Sequence, residues 1–284
     1  MTWGVRQGSG MTITDRRDEM MLTVALGQMA VATAGPEANL AKAGVLAGEA
    51  KGRGAELLCL PEMFTTGFQW EKNIALRERM ESDVARVAEI ARENSIWING
   101  SMALPASGGL LANTSILFGP SGERVASYRK MHLFRLMGEH EHVTPGTELV
   151  TADAPWGRTG LAVCYDLRFP ELFGAYALRG VQLQLLPAAW PEARLEHWQI
   201  LIRARAIENQ VFVLATNQCG EESFDAEGIT RYAGRSAVID PWGRTITEGG
   251  AGEELIIATI DLAEVQRVRA KIDVQQDRRS GRYS

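Results

Sequence analysis

Three residues of the types that together perform acyl transfer stand where predicted strands of the chain end. Cys164 ends the apolar segment 160–164, Glu62 follows the apolar segment 55–60, and Lys130 follows a predicted β-hairpin. A thiolate attacks a carbonyl carbon far better than a hydroxyl does. A carboxylate can take the thiol proton and later activate water, and a fixed ammonium can stabilise an oxyanion. These residue types favour hydrolysis of a carbonyl compound at Cys164.

The segment around Cys164 predicts a strand, a turn and then a helix that begins at Pro170. Proline is tolerated at the first helical position, and Glu171 suits the first turn of a helix. A helix N-terminus near the thiol would lower its pKa, and the backbone N–H of Tyr165 is a candidate second donor to an oxyanion. The alternative is a small buried cysteine without chemistry, which is the interpretation we favour for Cys59.

Glu62 and Lys130 each have an ordinary alternative. Glu62 could be a solvated carboxylate, but apolar neighbours would raise its pKa and make it a usable base. These neighbours are Leu58, Leu60, Met63, Phe64 and Phe68. Lys130 could be an exposed lysine at a strand end, which is the usual location of lysines.

The elements that must position these residues form two similar halves. Each half contains βαβ units followed by short β-pairs, which predicts an α/β fold of two sheets flanked by helices. The predicted helices are 36–53, 73–94, 170–178, 192–209 and 262–272. The predicted strands are 22–28, 55–60, 96–102, 113–118, 123–128, 160–164, 181–186, 211–216, 234–240, 244–247 and 255–260, with a polar loop over 217–232 that is a candidate for shaping the pocket.

Composition argues against several classes of protein. The 284 residues are 45% hydrophobic and 23% charged with a net charge of −5, and the two signs are interspersed, so we expect no nucleic-acid partner. The absence of any run of 18 apolar residues predicts no membrane span, and three widely separated cysteines favour a reducing cytoplasm. We expect one catalytic domain over 21–273, a disordered tail over 1–20 and a second tail over 274–284.

The segment His140-Glu141-His142 raises the question of a metal site. Metal sites on loops normally recruit a third and a fourth ligand, and the sequence offers no second cluster of histidines or cysteines to supply them. We therefore predict that the protein binds no metal and that these histidines lie in a loop near the pocket entrance.

Three ordered segments that contain Glu62, Lys130 and Cys164 resemble the signature motifs of the nitrilase superfamily of carbon–nitrogen hydrolases. The segments are Pro61-Glu62, Tyr128-Arg129-Lys130-Met131-His132-Leu133 and Gly160-Leu161-Ala162-Val163-Cys164-Tyr165-Asp166-Leu167-Arg168-Phe169-Pro170-Glu171. The resemblance spans 22–272 and implies a four-layer α-β-β-α sandwich, a Glu-Lys-Cys triad, a thioester intermediate, no cofactor, and a homodimer or higher homo-oligomer. It also implies a second glutamate, Glu139, that orients Lys130 and helps proton transfer.

Further segments resemble the ω-amidase branch of this superfamily, whose members hydrolyse α-ketoglutaramate and α-ketosuccinamate. These segments are 60–68, 132–135, 189–191 and 204–209. The implied substrate is a small-molecule amide, from which ammonia is released. We expect Phe68, Tyr165 and Trp190 to contact it. The cation for a distal carboxylate is left open, because Arg168 could bind it or could pair with Glu171.

Other functions are compatible with the same three residues. The substrate could be an N-carbamoyl compound, a deaminated glutathione-like amide or a nitrile. An inactive binding module is a further alternative, which the intact set of Glu62, Lys130 and Cys164 disfavours. A papain-like thiol hydrolase would require a partner histidine, and no Cys–His pattern supplies one.

Overall fold

Two six-stranded sheets lie at the centre of the protein. The structure, a computed structural model, describes residues 20–224 and 228–279. Its strands are β1 Met21–Gln28, β2 Leu57–Cys59, β3 Trp97–Pro105, β4 Leu111–Phe118, β5 Arg124–Arg129, β6 Thr151–Ala154, β7 Gly157–Leu161, β8 Leu183–Ala188, β9 Phe212–Asn217, β10 Cys219–Phe224, β11 Gly228–Ala233, β12 Ala237–Ile239, β13 Thr245–Glu248 and β14 Glu254–Asp261.

The two sheets share one plan. The first has the order β14-β1-β2-β3-β4-β5 and the second the order β13-β12-β9-β8-β7-β6. In each sheet three neighbouring strands are parallel, β1 to β3 in the first and β7 to β9 in the second, and the flanking strands are antiparallel. The carboxyl ends of parallel strands meet at one edge of a sheet, which is where open α/β sheets place their chemistry.

The helices are α1 Pro36–Gly52, α2 Trp70–Ala75, α3 Met80–Asn94, α4 Glu139–His142, α5 Pro170–Leu178, α6 Leu195–Asn209, α7 Ala263–Lys271 and α8 Val274–Asp277. Helices α1 and α3 cover the outer face of the first sheet, and α5 and α6 cover that of the second. Ala47 of α1 and Ile90 of α3 belong to one buried cluster with Leu58 of the first sheet. Phe173 of α5 and Trp198 of α6 belong to another with residues of the second sheet.

The inner faces of the sheets pack on each other. Strand β1 lies against β9, and β3 lies against β8. Leu26 and Cys59 of the first sheet share a buried cluster with Leu185 of the second. Strands covered on both faces need apolar residues at nearly every position, which explains the continuous apolar segments in the sequence. The predicted α-β-β-α sandwich is confirmed.

Three predicted elements differ from the structure. The predicted helix 73–94 consists of α2, a 3₁₀ turn at Arg77–Arg79, and α3. The predicted strand 160–164 ends at Leu161, and Cys164 begins a 3₁₀ turn. The polar segment 217–232 is a hairpin of β10 and β11 rather than a loop. Its pattern was obscured because a charged residue, Glu222, is among its buried positions.

The sequence also predicted a tail at each end of the chain. The tail expected over 1–20 lies almost wholly outside the described residues. The segment expected to be a second tail contains α8, whose first turn is capped by the Asp273 carboxylate accepting from the N–H of Gln276 at 2.9 Å. Among the helices of residues 20–224 and 228–279, none is long and apolar enough to span a membrane.

Candidate active site

The fold brings Glu62, Lys130, Glu139 and Cys164 together at the seam between the sheets. Glu62 follows β2, Lys130 follows β5 directly, Glu139 begins α4, and Cys164 follows β7. The first three belong to the half of the chain that forms the first sheet, and Cys164 belongs to the second. A hydrogen bond links the two sheets at this seam: the Ala189 N–H, just after β8, donates to Glu62 Oε2 at 3.1 Å.

Lys130 lies between two carboxylates. Its Nζ donates to Glu62 Oε1 at 2.8 Å and to Glu139 Oε2 at 2.8 Å and Oε1 at 3.0 Å. All three side chains are no more than 2% exposed. Asn113 Nδ2 bridges the carboxylates, donating to Glu62 Oε1 at 2.8 Å and to Glu139 Oε1 at 3.1 Å. The ammonium and both carboxylates are therefore held in fixed positions by several charge-assisted hydrogen bonds.

The surroundings decide which groups carry protons. Burial would lower the pKa of Lys130, but Glu139 and Glu62 outweigh it and raise that pKa, so the side chain is an ammonium. Burial raises the pKa of the Cys164 thiol well above its ordinary value; the Glu62 charge raises it further and Lys130 lowers it in part. Cys164 is thus a neutral thiol at rest, and its pKa is raised rather than lowered as a neighbouring helix N-terminus would suggest.

The turn that carries Cys164 is tied to the segment that carries Lys130. Asp166 Oδ2 accepts from the Val163 N–H at 2.9 Å and from the Tyr128 hydroxyl at 2.8 Å. Asp166 Oδ1 accepts from the His132 N–H at 3.1 Å. Cys164 itself has a φ of +44°, a left-handed conformation that non-glycine residues adopt only where the surroundings impose it. The Asp166 carboxylate supplies part of that constraint.

A narrow cavity of about 20 Å³ leads to the thiol. It is lined by Phe134, Cys164, Tyr165, Arg168, Ala189, Trp190, Pro191 and Arg194. The Arg168 guanidinium lies 4.8 Å from the centre of the Trp190 ring. A substrate that reaches Cys164 must be slender or must displace these long side chains, because the space is about that of one water molecule.

Two of the three expected substrate contacts lie in this cavity, and one does not. Tyr165 and Trp190 line it. Phe68 does not: it packs edge-on against Trp70, with ring centres 5.8 Å apart, in a buried cluster that also contains Met63 and Tyr232. The chain turns inward there because the Phe68 N–H donates to the buried Glu222 carboxylate at 2.8 Å.

Arg168 and the two histidines, which lie in the short helix α4 rather than in the expected loop, also have specific partners. Arg168 Nη2 lies 3.2 Å from His197 Nδ1, and no contact with Glu171 is found in the described part of the chain. His142 stacks on the Trp70 ring at 5.9 Å. His140 lines a neighbouring surface depression and lies 3.8 Å from Glu141.

Sequence reasoning missed Asn113, Asp166 and Glu222. Asn113 lies in the buried strand β4, and the polar run Asn113-Thr114-Ser115 within a predicted strand was the available signal. Asp166 follows Cys164 by two positions but contacts residues from a distant part of the chain. Glu222 was concealed within a segment interpreted as a loop.

The family model of the carbon-nitrogen hydrolases matches residues 23–270. This protein belongs to the carbon–nitrogen hydrolase family, and the predicted membership of the nitrilase superfamily is confirmed.

Three relatives illustrate the similarity. The 2-oxoglutaramate amidase of Bacillus subtilis is 35% identical over 270 residues, covering 93% of this chain and 100% of that protein. A mutant amidase from Nesterenkonia sp., with acrylamide added at its active site cysteine, has a TM-score of 0.79 and 29% identity over 90% of this chain and 99% of its own. A Helicobacter pylori carbon-nitrogen hydrolase has a TM-score of 0.88 over 93% of this chain and 97% of its own, and at 24% identity it supports the fold alone.

The family and these amidase relatives together give the reaction class of this protein, which is thiol-dependent amide hydrolysis.

The Glu62→Gln variant should lower the pKa of the Cys164 thiol. A charge that raises this pKa is removed, while the Lys130 ammonium that lowers it is retained. Alkylation by iodoacetamide at pH 7 should become roughly threefold faster for each unit by which the pKa falls, because the thiolate fraction rises about tenfold while the nucleophilicity of the thiolate declines. The rate of Cys164 labelling would be followed by mass spectrometry across pH; an unchanged or higher midpoint would contradict the assigned electrostatics.

The Lys130→Met variant should lose about 3–5 kcal/mol of unfolding free energy at pH 8, because Glu62 and Glu139 would be left as uncompensated buried charges. Burial and the Glu62 charge raise the pKa of Glu139 and Lys130 lowers it in part, so loss of the ammonium should raise the folded-state pKa of Glu139 further above its unfolded value. The stabilising contribution of protonated carboxyls is present at low pH and is lost as pH rises, so the deficit should shrink near pH 5. Urea denaturation at both pH values tests this, and an equal deficit at both would refute it.

The Asp166→Asn variant should lose about 2–4 kcal/mol of unfolding free energy, because a donor replaces an acceptor facing buried N–H and O–H groups. Displacement of the Cys164 turn should also reduce turnover. Asp153→Asn is the matched control, since Asp153 is exposed and pairs with Arg158 at 2.8 Å. Its denaturation midpoint should match that of the wild type; equal effects of the two substitutions would remove the structural role assigned to Asp166.

Proposed function

We propose that this enzyme hydrolyses the terminal amide of a small 2-oxo dicarboxylic acid monoamide, of which α-ketoglutaramate is the type. The observation that carries the proposal is the meeting of a buried thiol, a carboxylate and an ammonium, with the thiol lining one narrow cavity. The Bacillus subtilis relative, named 2-oxoglutaramate amidase, supports the choice of substrate.

In the proposed acylation step the Cys164 sulfur attacks the amide carbon. The thiol is neutral at rest, so its proton must leave as the bond forms, and the Glu62 carboxylate is the adjacent acceptor. Negative charge then develops on the carbonyl oxygen, where Lys130 and the Tyr165 N–H are the proposed donors. Glu62 returns the proton to the nitrogen, the carbon–nitrogen bond breaks, and ammonia leaves an acyl thioester on Cys164.

In the proposed deacylation step water attacks the thioester. Glu62 takes a proton from the water, the oxyanion forms again beside Lys130, and the carbon–sulfur bond breaks. The proton returns to the sulfur and the carboxylic acid product leaves. Water and amide are converted to acid and ammonia without a cofactor, and Glu62, Lys130 and Cys164 return to their starting states.

Glu139 is proposed as a positioning residue. Its carboxylate accepts two hydrogen bonds from Lys130 and one from the Phe134 N–H at 2.6 Å. Those contacts fix the ammonium towards the reacting carbonyl and leave it charged. They also link Lys130 to Phe134, which lines the substrate cavity.

The remaining features of the proposal concern the whole protein. We infer one catalytic domain over 21–273, action in the cytoplasm, and assembly as a homodimer or a higher homo-oligomer. Exposed Ile200 and Ile207 of α6 and Leu178 of α5 are consistent with a contact between copies, because large exposed apolar side chains cost less when covered.

The Cys164→Ala variant should have no measurable amide turnover and a wild-type circular dichroism spectrum and melting temperature, because a small side chain is replaced by a smaller one.

In the wild type, kcat/KM should be highest for α-ketoglutaramate, lower for glutamine, and lowest for a simple aliphatic nitrile and for N-carbamoyl-β-alanine. Ammonia release measures the amides and the nitrile, and chromatography of the carboxylate product measures all four. A nitrile or carbamoyl compound ranking first would overturn the proposed substrate and leave the thiol chemistry standing.

A further inference from the structure

We infer that Arg194 binds the carboxylate at the far end of the substrate and so selects dicarboxylic acid monoamides over uncharged amides. This inference rests on the proposed function, since it names the residue that recognises the proposed substrate class. It arises from the position of Arg194 in the cavity, from the charges around it, and from the way its backbone is held.

The Arg194 side chain lines the cavity that leads to Cys164. Arg194 ends the 3₁₀ turn Glu192–Arg194, which follows directly on Trp190 and Pro191. An amide whose carbonyl lies at Cys164 and whose chain extends outward between Trp190 and Phe134 would bring its far end towards this guanidinium. The cavity thus has a nucleophile at its inner end and a cation in its wall.

The backbone of Arg194 is fixed although its side chain is long. Its N–H donates to the Pro191 carbonyl at 3.0 Å, and its carbonyl accepts from the Trp190 indole N–H at 2.8 Å. The Trp190 carbonyl in turn accepts from the Ala233 N–H of β11 at 3.0 Å. A guanidinium on a fixed backbone loses less conformational freedom when it binds an anion.

Within residues 20–224 and 228–279, no carboxylate lies within 4.0 Å of the Arg194 guanidinium. The half-buried side chain instead rests over the Phe134 ring, at 5.8 Å from its centre. Nearby Arg231, by contrast, is paired with Glu221 at 2.6 Å. A contact with an aromatic ring is weaker than a two-pronged hydrogen bond to a carboxylate, so an entering carboxylate would draw the guanidinium away from Phe134.

Arg168 lines the same cavity but is already engaged. It stacks on Trp190 and lies 3.2 Å from His197 Nδ1. These contacts make it part of the cavity wall, with its charge adding to the positive potential there. Arg194 is the guanidinium with the freedom to close on the far carboxylate.

The test compares a charged and an uncharged amide of equal chain length. Steady-state ammonia release would give kcat and KM for α-ketoglutaramate and for pentanamide with the wild type, Arg194→Gln, Arg194→Lys and Arg231→Gln. The last variant is the matched control, because Arg231 lines a surface depression that Arg194 also borders but does not line the cavity that contains Cys164.

For Arg194→Gln we expect the ratio of kcat/KM between α-ketoglutaramate and pentanamide to fall by about tenfold or more, mainly through a higher KM for the charged amide. Arg194→Lys should restore part of the ratio, and Arg231→Gln should leave it within about twofold. A ratio unchanged in Arg194→Gln, or an equal loss in Arg231→Gln, would overturn the inference. A wild type that prefers pentanamide would instead refute the proposed function.

Discussion

The buried ammonium of Lys130 between Glu62 and Glu139 is the interaction on which the site depends. Removing a charge from water costs several kcal/mol per ion even after the protein relaxes. Three such groups are tolerated here because each one's hydrogen-bonding capacity is met by the others, by Asn113, and by the Ala189 and Phe134 N–H groups. Removing any one of these groups would leave the others without hydrogen-bond partners. The same contacts fix Glu62 where a base would be needed.

The same charges govern the thiol. Lys130 is an ammonium and Cys164 is a neutral thiol. Ionising Cys164 would place a negative charge in a buried space beside the Glu62 carboxylate, which explains why the pKa of the thiol is raised. Moving the proton from Cys164 to Glu62 creates no additional net charge. The site therefore favours an internal proton transfer over a permanently ionised thiolate.

The sequence was sufficient to predict the sandwich and the meeting of Glu62, Lys130 and Cys164. Each of these follows a predicted strand; Glu62 and Cys164 follow parallel strands, whose carboxyl ends converge, whereas Lys130 follows the antiparallel β5. Asn113, Asp166 and the β10–β11 hairpin were not predicted, because their roles depend on contacts between distant parts of the chain. Phe68 was expected to contact the substrate, but it packs on Trp70, and its N–H donates to Glu222.

The location of the site at the seam explains why the two halves of the chain are not interchangeable. The first sheet supplies the charged groups, and the second supplies Cys164 and the Ala189 N–H that orients Glu62. The hairpin adds a third connection, since the buried Glu222 accepts from the Phe68 N–H and from the Tyr232 hydroxyl at 3.0 Å. The loop that follows Glu62 is therefore braced by the same hairpin that supports the Trp190 turn. Base, nucleophile and substrate wall keep their spacing only while both sheets and the hairpin remain packed together.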